Sequence, residues 1–157
     1  MNIHPIFVHF PVALLSIYVV LECIWSQRIK DSDSMLHTKV ILLFFGVLGA
    51  YASLATGDFG EREFASMRNV IHVHESFASA TTFIFSVLLG SYLIKLWGNR
   101  VSQTATTLVN KVFSKSVVVM LSIAGLLVLL ITGTLGGIIV YGPNADFFTN
   151  LLYRIMF

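Results

Sequence analysis

The sequence predicts an all-α membrane protein, a four-transmembrane-helix bundle with short interfacial helices, in one domain over residues 1–157. Three observations lead there. Of the residues, 56% are hydrophobic and only 11% charged, and mean hydropathy is +0.83, whereas a soluble domain carries about 25% charged residues. The apolar residues gather into four runs, each long enough to cross roughly 30 Å of hydrocarbon at 1.5 Å per residue. Polar and charged residues collect between the runs. The net charge of +2 is small and scattered, which argues against nucleic acid as a partner and leaves the lipid bilayer as the expected one.

The first run extends from about Pro5 to Trp25. Pro5 suits a first helical turn, where a missing N–H is harmless. Pro11 should either kink the helix or mark its true start. A polar loop follows from Gln27 to His37, then a second run over about 40–56. Gly46, Ala50, Ser53 and Gly57 recur there at helical spacing and give a small-residue face for close approach. Asp58 to Ile71 reads as a charged loop with a short helix near Glu61–Asn69, before a third run over about 74–97. The linker from Gly98 to Ser116 is basic and holds an amphipathic stretch that suits the interface. The fourth run covers about 117–141, and an interfacial helix is expected over about 145–156. Near the end of that run, Gly133 and Gly137 form a GxxxG pair beside Gly136.

The single cysteine, Cys23, cannot form an intramolecular disulfide, and without CxxCH there is no covalent c-type haem. The start of the chain has no basic n-region or small-residue cleavage site, so the first run is expected to stay in the mature protein. Lysines and arginines divide seven to three between the two sides: Arg28, Lys30, Lys39, Lys95, Arg100, Lys111 and Lys115 against Arg62, Arg68 and Arg154. The richer side faces the cytoplasm. In a bacterial inner membrane both termini are then periplasmic.

With that topology, four of the five histidines (His4, His9, His72 and His74) share the outer edge with Asp58, Glu61, Glu75, Arg62, Arg68 and Tyr141. An ionisable side chain at membrane depth is costly, which makes such residues functional candidates. His9, Ala13 and Ser16 line one helical face, and His74, Ala78 and Thr81 another. Two facing histidines backed by small residues leave a slot that haem b fits, with an axial imidazole from each side and close backbone approach at glycine. Gly57, Gly136, Gly137 and Tyr141 would border it, and Arg62 and Arg68 would hold the propionates.

The same groups suit copper, zinc or non-haem iron, with His4, His9, His74, Glu75, Asp58 and Glu61 as donors. Taken singly, a histidine at a helix end is more often an interfacial hydrogen-bonder, and a small-residue face is more often plain packing. The functional reading stands on their convergence. No nucleophile elbow supports a hydrolase, and no charge in mid-membrane supports an ion path. Glu22, the deepest acid of the first run, is expected near the cytoplasmic end. His37 and His72 receive no role, and no catalytic residue emerges.

The landmarks resemble the bacterial membrane family that carries the domain of unknown function 2231. HPIFVHFPVALL at the start is similar to that family's HPxxVHFPIALL opening. TGDFGEREF, His74-Glu75 and LGGIIVYG resemble its later motifs in order. The resemblance implies a four-span bundle and places His4, His9, Asp58, Glu61, His74, Glu75, Gly136, Gly137 and Tyr141 at motif positions. Members often carry a histidine just after the closing tyrosine, where this chain has Gly142-Pro143. The expected function is electron transfer by a membrane b-type haem near the periplasmic face, with a quinone or cytochrome partner. The alternatives are a non-haem metal protein, or a structural or accessory subunit of a larger membrane complex, with homo-oligomerisation also open.

Overall fold

A computed structural model describes residues 4–24, 33–57 and 67–157, excluding the side chains of 4–7, 98–101 and 105. The described residues form six helices: α1 (His4–Cys23), α2 (Asp33–Gly57), α3 (Arg68–Val101), α4 (Gln103–Val112), α5 (Lys115–Tyr141) and α6 (Phe147–Met156). Among them, α2, Arg68–Trp97 of α3 and α5 are long and apolar enough to cross a membrane, and α1 adds the shorter apolar stretch Val8–Cys23.

The helices overrun the polarity boundaries. Helix α2 begins at Asp33 and α3 at Arg68, about two turns before the apolar runs begin. Backbone hydrogen bonding continues through polar residues wherever nothing breaks it, so charge marks the membrane edge better than it marks a helix end. The expected short helix near Glu61–Asn69 falls largely outside the described residues. Pro11 lies inside α1, which is helical on both sides of it.

Helices α1, α2, α3 and α5 pack as a ring in that order, with α4 against α3 and α6 against α5. The main core draws Leu15, Tyr18 and Val19 from α1, Leu43 and Val47 from α2, Phe85, Leu88 and Tyr92 from α3, and Val118 and Leu129 from α5. Small residues set the α1–α2 distance. A Cβ on Gly46 would stand 2.5 Å from Leu15 Cδ2, and one on Gly49 would stand 3.1 Å from Pro11 Cδ. Gly133 of the GxxxG pair faces open space, whereas a Cβ on Gly137 would meet Thr149 Cγ2 of α6 at 3.7 Å. The pair therefore does not clamp two long helices within this chain.

Helix α5 ends at Gly142, whose φ of +86° a side chain would strain. Asp146 then caps α6: its carboxylate accepts from the Phe148 and Thr149 amides, while the Thr149 hydroxyl accepts from the Asp146 amide. Leu152, Tyr153 and Met156 of α6 pack on Val70, Leu135 and Ile138. Phe147, Phe148 and Ile155 stay exposed, which suits a helix lying in a membrane interface.

A polar core lies at the end of the bundle opposite the His74 end of α3. Glu22 and Lys39 are 3% and 4% exposed and pair at 2.8 Å. The Tyr92 hydroxyl donates to Glu22 Oε2 at 2.5 Å. Tyr18 lies edge-on to both Phe85 and Tyr92, with its hydroxyl 3.1 Å from Ser122 Oγ.

Candidate functional site

His74 lies in the second turn of α3, half-buried against α5. Its Nδ1 is 3.0 Å from the carbonyl oxygen of Thr132. A carbonyl only accepts, so Nδ1 donates and carries the proton, and the ring's lone pair is on Nε2. Gly136 makes the approach possible: a Cβ there would stand 3.4 Å from His74 Cε1, and larger side chains would reach the ring itself. The reason is helical geometry. Thr132 and Gly136 are one turn apart on the same face of α5, so a side chain at 136 would project over the carbonyl of 132. Two turns deeper on α3, the Thr81 and Thr132 hydroxyls are 3.3 Å apart. Both hydroxyls also bond back to their own helices, at the Phe77 and Val128 carbonyls. A carbonyl that fixes the tautomer and orientation of an imidazole is the usual support of a ligating histidine.

The other candidates are distributed as follows. His9 is exposed on α1, on a stripe with Ala13, Ile17 and Val20. Glu75 Oε2 is 3.6 Å from His72 Nδ1, one turn back on the same helix. Arg68 is exposed at the start of α3, Gly57 is the last residue of α2, and Tyr141, 79% exposed, closes α5. Gly137 receives α6 rather than α3. Asp58, Glu61 and Arg62 lie outside the described residues, as does the side chain of His4. Among the described residues no group of three or more His, Cys, Asp or Glu is placed to hold a metal ion. His74 and Gly136 are thus brought into contact. His74 addresses α5, its neighbour in the ring, whereas α1 stands diagonally across from α3.

Thr132 was not among the residues singled out from sequence, and Thr81 was read only as part of the helical face it shares with His74 and Ala78. A usable signal was present: Thr132 is a hydroxyl residue four positions before Gly136 in an otherwise apolar run. Lys39 was assigned to the loop side of the second run. The structure places it inside α2, buried on Glu22.

No curated protein and no solved structure matches the chain. A family model described as predicted membrane protein (DUF2231) matches residues 1–145, and the chain belongs to that family.

Proposed function

We propose that the protein is a four-span bacterial inner-membrane protein, with both termini periplasmic, that holds a b-type haem through His74 near the periplasmic face. It would pass electrons between a quinol and a periplasmic or membrane partner. The observation that carries this reading is the Thr132 carbonyl fixing the His74 tautomer over Gly136. A bound haem supplies one-electron exchange at its iron.

Haem asks less of the chain's own side chains than a bare metal ion does: it brings four nitrogens of its own and takes one or two imidazoles from the protein. A zinc or non-haem iron centre asks for three or four protein donors, and would draw on His4, Asp58 and Glu61, whose side chains lie outside the described residues. His9 is exposed on α1, diagonally across the ring from α3, so the reading rests on His74 as the one axial imidazole, and a second would have to come from elsewhere, with His4 the reserve. Arg68 stands six residues before His74, about 9 Å along the helix axis, and with Arg62 would meet the propionates.

A reduced-minus-oxidised absorption spectrum with metal quantification, taken on one purified sample, tests the reading. The expected result is a Soret band with stoichiometric iron that His74→Ala abolishes. No Soret band and no iron after expression with haem supplied would overturn it. Iron, copper or zinc without a Soret band would favour the non-haem centre.

A second reading also has a specific observation behind it. The His74–Thr132 bond joins α3 directly to α5, as a structural or accessory subunit of a larger complex would also use it. That reading expects His74→Ala to impair assembly without removing a cofactor, and expects stoichiometric partners to copurify.

A further inference from the structure

We propose that the opposite end of the bundle binds the phosphate of an anionic phospholipid headgroup. A cavity of about 190 Å³ opens there between α1, α2, α3 and α5, lined by Glu22, Lys39, Tyr92, Lys95 and Lys115. That volume equals about six waters of liquid. It admits a phosphodiester with its glycerol but not a whole drug-sized ligand, whose pockets run from about 300 Å³ upward.

The charges are unequal. Lys39 is neutralised by Glu22 at 2.8 Å. Lys95 is within electrostatic reach of the same Glu22, which is already paired with Lys39; its Nζ donates to the Phe113 carbonyl at 3.0 Å and lies 5.7 Å from the centre of the Tyr92 ring. Among the described residues, neither Lys95 nor Lys115 has a carboxylate within ion-pair distance. Three lysines and one carboxylate thus line one cavity, an excess of positive charge that calls for an anion. The buried Glu22 prevents the site from being indiscriminately cationic, and Leu36 and Val118 give the cavity an apolar wall.

Helix α4 places the cavity at headgroup depth. Its exposed surface runs from Thr107, Lys111 and Thr104 round to the adjoining Leu108 and Val112. An amphipathic helix of that kind lies in the plane of the interface. It leads directly into Phe113, whose carbonyl holds Lys95. The count of lysines and arginines assigns this end to the cytoplasmic leaflet, where basic pockets between spanning helices take anionic headgroups.

The test is native mass spectrometry of the full chain in a neutral detergent, titrated with phosphatidylglycerol, phosphatidylcholine or inorganic phosphate. Wild type is expected to bind one phosphatidylglycerol at least about tenfold more tightly than phosphatidylcholine, since each lysine at a headgroup contributes about fivefold. Lys95→Gln with Lys115→Gln should weaken phosphatidylglycerol about twenty-five-fold on the same basis. Lys111→Gln, on the outer side of α4, should leave it unchanged. Lys115→Gln alone, at an exposed side chain, should still cost about fivefold and puts no packing at risk. Equal binding of the two lipids, a double variant that binds like wild type, or inorganic phosphate binding more tightly than phosphatidylglycerol would each overturn the proposal.

Discussion

Replacing Lys39 with methionine should be among the most damaging single changes available in this chain. Glu22 and Lys39 are both buried and 2.8 Å apart. At an effective dielectric constant near 20 their gross attraction is about 6 kcal/mol, set against a desolvation cost of several kcal/mol for each ion. The intact pair therefore contributes little net stability. Removing one partner strands the other, and Lys39→Met is expected to cost about 3–5 kcal/mol. Combining it with Glu22→Gln removes both charges while keeping an amide oxygen to accept from the Tyr92 hydroxyl, which now donates to Glu22 Oε2. The double variant should recover to within about 2 kcal/mol of wild type, because a buried pair replaced as a unit is often neutral. Unfolding by sodium dodecyl sulfate in mixed micelles, followed by helical circular dichroism, gives the four free energies of the cycle. A loss of only about 1 kcal/mol for Lys39→Met, the value of an exposed pair, would refute the reasoning. It would mean that water reaches the carboxylate.

Further outcomes can be read in the same micelle assay or close to it. Gly46→Ala should destabilise by about 1–3 kcal/mol, because its Cβ would stand 2.5 Å from Leu15 Cδ2. Gly133→Ala, facing open space, should be neutral or stabilise by up to about 1 kcal/mol through helix propensity. Asp146→Ala removes the acceptor for two amides of α6 and should cost about 1 kcal/mol, seen as faster hydrogen exchange confined to α6. Gly136→Val should push the His74 ring off the Thr132 carbonyl; the ring's NMR shifts report the displaced tautomer whether or not a cofactor is bound, and unchanged shifts would refute the account of Gly136.

The helical class and the run order were legible because hydropathy over a membrane-length window is a coarse, strong signal. Helix ends were not. Asp33 to Thr38 and Arg68 to Val73 are helical although hydropathy assigns them to loops, since a polar side chain on a helix leaving the membrane breaks no backbone bond. The value of Gly136 was legible as a motif position, but its reason was not: the glycine clears a path for a ring from another helix. Such a pairwise contact has no local signature. The same holds for Lys39. A lysine at the start of an apolar run reads as a snorkelling boundary residue, and only the fold shows that it meets Glu22.

That misreading of Lys39 bears on how the two ends of the bundle differ. Around His74, close approach depends on the absence of a side chain at Gly136 and on neutral hydrogen bonds from Thr81 and Thr132. At the other end, the helices meet through full charges, Glu22 on α1 with Lys39 on α2, and α3 joins through Tyr92. A charge pair adds little stability by area or by Coulomb energy, yet it penalises wrong registers heavily, because a one-turn slip of α2 leaves two ions buried alone. An imidazole over a glycine has no comparable penalty and leaves its end of α3 and α5 easier to adjust. Rigidity at the charged end and tolerance at the histidine end would suit a protein whose chemistry lies at the second and whose anchorage lies at the first. The asymmetry is measurable: hydrogen exchange should be slower at Leu43 and Leu88 than at Phe77 and Leu135, and the reverse order would remove the basis for assigning the two ends different roles.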